Sequence, residues 1–234
     1  MCLVCEAKTV KRTPYTDECI GIDVVISKLA TLSTGGVIEN PKLYREAEKR
    51  LAKAQQAMSR KKRGSHRRKK AVQRVAELHR KARNQRHDYL HQWSRRLANA
   101  YETILFEDLA PSNLSRQAKP KQDEESGHYL LNGARVKPGF NQSLVDAGWH
   151  HFITLCQYKV AEAGTLQVVH VDPRYTSQIC SGCDTVRKKT LSERWHSCQC
   201  GYELDRDHNA TRNIKALWLG RSLQDAQASR EAHA

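Results

Sequence analysis

The sequence predicts a mixed α/β fold interrupted twice, once by a helical hairpin and once by a metal-binding ribbon. Three observations carry this. Short apolar runs separated by turn residues alternate with long helical stripes. One internal segment holds almost all of the excess charge. Two close cysteine pairs stand near the C-terminal end, at the spacing that presents four thiolates to one tetrahedral ion.

The first element is a strand. Cys19-Ile20-Gly21-Ile22 precedes Asp23, and Val24-Val25-Ile26 follows it. A carboxylate within such an apolar run is costly to bury unless it is paired or holds a metal, and no turn residue follows to make it a capping group. Asp23 is therefore a candidate functional acid. A second strand over 29–32, a Thr34-Gly35-Gly36 turn and a third short strand complete this part. Upstream, Cys2 and Cys5 read as strand residues, there being no second free pair to complete a metal site.

Asn40-Pro41 opens a helix, Pro being accepted where no amide donor is needed. Leu43, Ala47, Leu51, Ala54 and Met58 form one stripe, and Ala71, Val75, Leu78, Ala82, Tyr89, Trp93, Leu97 and Ala100 form another. Two helices with a short joint make an antiparallel hairpin over 41–100. Residues 42–96 carry 20 Lys and Arg against four acids, a net of +16; the whole chain is +15, so the rest nets −1. That imbalance exceeds what solubility needs and points to phosphate contacts. The joint holds Arg60, Lys61, Lys62, Arg63, Arg67, Arg68, Lys69 and Lys70.

Thr103 to Leu109 is a short apolar strand ending in two acids. Glu107 continues the strand and is the second candidate; Asp108 begins the turn. Residues 111–142 lack periodicity and read as a mobile loop or lid. Leu144, Ala147, Phe152, Leu155 and Val160 form a helix ended by Gly164, and 166–171 form another strand, followed by Asp172-Pro173-Arg174.

Then comes the ribbon. Cys180 and Cys183 form C-x2-C, and Cys198 and Cys200 follow after 14 intervening residues. The second pair is tight, so His196 is an alternative ligand to Cys198 or Cys200. Asp205 and Asp207 then begin a helix in which Asn209 and Asn213 share one face. One of these aspartates fits an N-cap; the other is free to be a third functional acid.

The chain has 234 residues, enough for one sizeable core and a small appendage. It contains no run of apolar residues long enough to span a membrane and no signal peptide, which predicts a cytoplasmic protein with no membrane partner. Eight cysteines in a reducing compartment favour metal over disulfides.

The segments GIDVVISKLATLS, ILFEDL, DPRYTSQICSGC and CQCGYELDRDHNATRNI together resemble the C-terminal half of the TnpB/OrfB proteins, RNA-guided nucleases encoded by insertion sequences. The resemblance spans residues 18–218. It implies an RNase H-like (RuvC) mixed sheet, with Asp23, Glu107 and Asp207 as an acidic triad holding two magnesium ions for DNA cleavage. In the family the third acid stands two residues before the Asn-Ala pair, which selects Asp207 over Asp205. On this basis 18–172 is the nuclease core, 173–204 a zinc ribbon held by Cys180, Cys183, Cys198 and Cys200, 205–219 the last core helix and 220–234 a tail. Residues 1–17 would be the last strand and linker of an N-terminal half that grips guide RNA and target in relatives, so the chain resembles a truncated copy with impaired guide-RNA binding. Arg174 and the basic hairpin would hold the nucleic-acid backbone. One departure is Val25, where the family has glycine.

Overall fold

A computed structural model describes residues 16–109, 114–116, 119–123, 127–130, 136–163, 167–190 and 192–220. Cys2, Cys5 and Gly164 lie outside them. The chain forms two compact units.

The first unit is built on a five-stranded sheet in the order β3-β2-β1-β4-β7. β1 (Thr16–Val24) pairs antiparallel with β2 (Ala30–Leu32), which pairs antiparallel with β3 (Val37–Ile38). On its other side β1 runs parallel to β4 (Tyr101–Glu107), and β4 runs parallel to β7 (Gln167–Val171). The middle of β4 reads Ile104-Leu105-Phe106, all fully buried. A strand covered on both faces needs such a continuous apolar run, since neither set of alternating side chains meets water. Register sets the acids: Ile22 pairs with Phe106, so the next residues, Asp23 and Glu107, leave two adjacent parallel strands at the same end. Val25 lies just past β1, and its amide donates to the Leu29 carbonyl to close the turn into β2.

After β7 come β8 (Trp195–Ser197) and β9 (Glu203–Asp205), an antiparallel pair, and the last helix, Arg206–Trp218. That helix presses closely on β1 at Gly21. A Cβ there would overlap the Thr211 carbonyl oxygen and stand 3.2 Å from the Lys215 amide nitrogen. The absence of a side chain at Gly21 lets the helix backbone lie on the strand two residues before Asp23.

The second unit contains α1 (Leu43–Ser59) and most of α2 (His66–Ala100). The Pro41 start is displaced: the helix begins at Leu43, after Lys42 in the left-handed region at φ 46°. At the joint Arg68 donates to the Met58 and Lys61 carbonyls at 3.0 and 3.1 Å, and its amide donates to the Ser65 hydroxyl at 3.2 Å. The region expected as an unstructured lid instead holds a two-stranded pair, β5 (Lys121–Gln122) with β6 (Tyr129–Leu130), and the start of α3 (Lys137–Ala147). The single helix expected after Leu144 is two, α3 and α4 (Trp149–Ala163), broken at Gly148. Gly148 caps α3 at φ 68°, its amide donating to the Leu144 carbonyl; glycine adopts this left-handed conformation without the Cβ clash that other residues incur. The last helix is therefore α5.

Candidate active site and metal centre

Three acids predicted from separate segments meet in the field of one site. Asp23 is the next-to-last residue of β1, Glu107 ends β4, and Asp207 lies in the first turn of α5, only 9% exposed. Burial pushes the Asp23 carboxyl well above the usual carboxylate range, and the charges of Glu107 and Asp207 push it further in the same direction. Glu107 is also raised by burial, against a lowering hydrogen bond from Thr176, with Asp207 adding to the rise. Asp207 is raised by burial and by Asp205, while Lys28, Arg194 and Arg206 oppose the shift. Asp23 thus feels the charges of both Glu107 and Asp207, and Glu107 that of Asp207. These carboxylates are coupled through charge; they do not close into a tight ligand cluster as the cysteines do.

The choices between adjacent acids are resolved by local roles. Asp205 is the N-cap of α5, its carboxylate accepting from the amides of Asp207 and His208 at 2.9 and 3.3 Å. It also pairs with Lys28 at 3.6 Å. Asp108 is exposed in the turn after β4, its amide donating to the Val171 carbonyl. Thr176, not singled out from sequence, is buried and donates its hydroxyl to Glu107 Oε1 at 2.5 Å. It had no signal of its own in the sequence, since threonine is common in turns.

The Asn face of α5 ties the ribbon to the sheet. Asn209 donates to the Ile179 carbonyl and accepts from the Ser181 amide, and Asn213 donates to the carbonyls of Thr176 and Ile179. The Asn209 amide is thereby satisfied at both ends, and the Asn213 amide at its nitrogen, by the segment that begins the ribbon. The same helix thus carries Asp207, positions Thr176 and holds the chain on either side of Cys180.

In the ribbon the four sulfurs of Cys180, Cys183, Cys198 and Cys200 lie within 4.8 Å of one another. The Cys180–Cys200 and Cys183–Cys198 pairs are 3.8 and 3.5 Å apart. A tetrahedral zinc with bonds of about 2.3 Å needs sulfur–sulfur edges of about 3.8 Å, so these cysteines have the dimensions of a structural zinc site. His196 is outside the cluster. It is buried on the opposite side of β8 from its neighbours, beside Lys189 Nζ, and burial with the Lys189 and Arg187 charges holds it down at about 4.

Apart from Arg174, the predicted phosphate-binding residues lie far from this chemistry in sequence. Arg60, Lys62, Arg63, Arg67, Lys69 and Lys70 are exposed and Lys61 is half-buried, whereas Arg68 is engaged in closing the joint. Beside the joint, Gly64, Ser65, Arg68, Lys69, Val72 and Gln73 line an open hollow of about 440 Å³. Arg174 is exposed and stands 3.8 Å from Asp172.

A five-stranded mixed sheet, a helical insert and a four-cysteine cluster anchored to the last helix define a mixed α/β protein with a zinc-binding domain. Residues 2–118 match the OrfB_IS605 family, described as "Probable transposase", and residues 149–214 match the Cas12f1-like TNB domain. The chain belongs to the TnpB/OrfB family. It is 39% identical over 222 residues to a "Putative RNA-guided DNA endonuclease" of Streptomyces pristinaespiralis, covering 94% of this chain and 50% of that protein. It is 36% identical over 199 residues to InsQ of Escherichia coli K12, which bears the same description, covering 84% and 48%. The chain thus spans about half the length of the curated relatives it matches. Its fold resembles the cryo-EM structure of a Cas12f1-sgRNA-target DNA complex, with TM-score 0.54 and 17% identity, over 88% of this chain and 40% of that one. Among the described residues no helix is long and apolar enough to cross a membrane.

Proposed function

We propose that this chain carries the hydrolytic centre of a magnesium-dependent DNA endonuclease of the TnpB type, with Asp23, Glu107 and Asp207 as its metal-holding triad. The observation that supports this most directly is placement: register sets Asp23 and Glu107 at the same end of adjacent parallel strands, and α5, which carries Asp207 in its first turn, lies on β1 at Gly21. Nothing in packing alone explains three mutually repelling carboxylates at one sheet end, whereas a shared cation relieves the repulsion. When bound, two magnesium ions supply charge stabilisation at the attacking and leaving oxygens of a phosphodiester.

The protein's part is to hold the ligands. Thr176 fixes one oxygen of Glu107, and the Asp205 cap fixes the turn that presents Asp207. The zinc ribbon, over 173–204, anchors that turn through Asn209 and Asn213. The exposed cations around the α1–α2 joint, with Arg174, hold phosphates. Guide RNA and target DNA are the partners that the relatives' descriptions suggest.

The deciding experiment measures magnesium-dependent cleavage of single-stranded DNA alongside thermal stability. Millimolar magnesium should raise the melting temperature by mass action. Asp207→Ala should abolish both that rise and cleavage while zinc stays at about one per chain. A melting temperature indifferent to magnesium in both proteins would refute the triad.

A further inference from the structure

We infer that Trp195 is a stacking platform for a base of the single-stranded DNA presented to the acidic centre, an inference that rests on the proposed nuclease function. The indole is 58% exposed, on β8 of the ribbon. Strand alternation sends the next side chain, His196, into the interior, so Trp195 belongs to the outward face. Among the described residues its ring has no aromatic or cationic partner. Leaving so large an apolar ring in water gives up the stability its burial would contribute.

Its location gives the exposure a use. Trp195 pairs directly with Asp205 across the β8–β9 ladder, and such partners are about 5 Å apart at Cα. Asp205 caps the turn that carries Asp207, so Trp195 is one cross-strand pair and two residues from the third acid. This placement is rigid. The Arg206 amide donates to the Arg194 carbonyl at 2.9 Å, and the Arg206 guanidinium donates to the Thr190 and Glu193 carbonyls at 3.1 and 3.3 Å. Arg194, the preceding residue, is exposed, and its charge is felt at Asp207. Lys28 offsets the charge of Asp205. An exposed aromatic face, fixed one cross-strand pair from carboxylates that would hold the scissile phosphate and whose charge Lys28, Arg194 and Arg206 oppose, has the chemistry of a single-strand site: bases stack while cations follow the backbone. Trp218, also exposed, ends α5 and lacks this placement.

The test compares binding of a twelve-nucleotide oligothymidylate with an abasic strand of equal length and charge, in magnesium-free buffer at fixed salt. Trp195→Ala should weaken oligothymidylate binding roughly five- to a hundred-fold and leave abasic binding within about twofold, with zinc content and melting temperature unchanged. Trp195→Phe should recover most of the loss. Equal loss on both strands, or no loss on either, overturns the stacking role while leaving the nuclease proposal standing. Failure of the wild-type protein to bind either strand removes both.

Discussion

Thr176 shows how much of the site depends on residues that carry no charge. Its hydroxyl is the one group that lowers Glu107 against burial and Asp207. A hydrogen bond to a charged acceptor is worth about 1.5–3 kcal/mol. Thr176→Val should therefore raise Glu107 further and slow magnesium-dependent cleavage by about ten- to a hundred-fold, with the acidic limb of the pH–rate profile moved to higher pH; an unmoved limb would place Thr176 in packing only. Asp23 makes the complementary case. Its folded carboxyl is raised, so the native state holds its proton where the unfolded chain has released it. Without magnesium, stability should fall as pH climbs from the ordinary carboxylate range through the raised value, then level off. Asp23→Asn should flatten that fall, as read by urea midpoints between pH 4 and pH 8 (about the range that brackets a raised carboxylate); a slope equal to the wild type's would show that Asp23 is not its source.

At the scale of elements, α5 joins the parts. It carries Asp207, clamps the ribbon through two asparagines and lies on β1 at Gly21. Gly21→Ala places a methyl against the Thr211 carbonyl, which is backbone and cannot rotate away. Overpacking costs about 1–3 kcal/mol, and here the displaced element carries an acid, so the lowered urea midpoint should be accompanied by loss of the magnesium-induced rise in melting temperature. A destabilised variant that kept the full rise would mean that α5 had not moved. The ribbon depends on its sulfurs in the same way: Cys180→Ser with Cys183→Ser should lose the zinc, and full retention would refute the four-cysteine centre. Much of this was legible in the sequence. Strand ends marked by acids, the N-cap role of one aspartate and the cysteine spacing each follow from a local rule. Gly21, Thr176 and the break at Gly148 were not, because each answers to a partner far along the chain: the Thr211 carbonyl, the Glu107 carboxylate, and Leu90 against Gly148. Sequence periodicity reports the face an element buries, but not how near two backbones come.

At the scale of the whole molecule, charge and chemistry are carried by different stretches of chain. The segment 42–96 nets +16 and holds none of the three acids, while the remainder nets −1 and holds all of them. Such a division predicts that binding and hydrolysis are separable by mutation. Arg60, Lys62 and Arg63 are exposed and Lys61 half-buried, whereas Arg68 closes the joint through the Met58 and Lys61 carbonyls. Replacing Arg60, Lys61, Lys62 and Arg63 with alanine thus removes side chains available to phosphates while keeping the contacts of Arg68, which reach backbone atoms. Each lost phosphate contact should reduce the slope of log affinity against log salt by about 0.7 on single strands and about 0.9 on duplex. The quadruple variant should accordingly lose up to about 3 of that slope on single strands, uniformly across sequences because phosphates carry no base identity. Zinc content and the magnesium-induced rise in melting temperature should stay as in the wild type, since the acids are untouched. An unchanged slope would put the phosphate contacts elsewhere in the chain, and a lost magnesium response would show that the basic segment and the acidic centre are not separable.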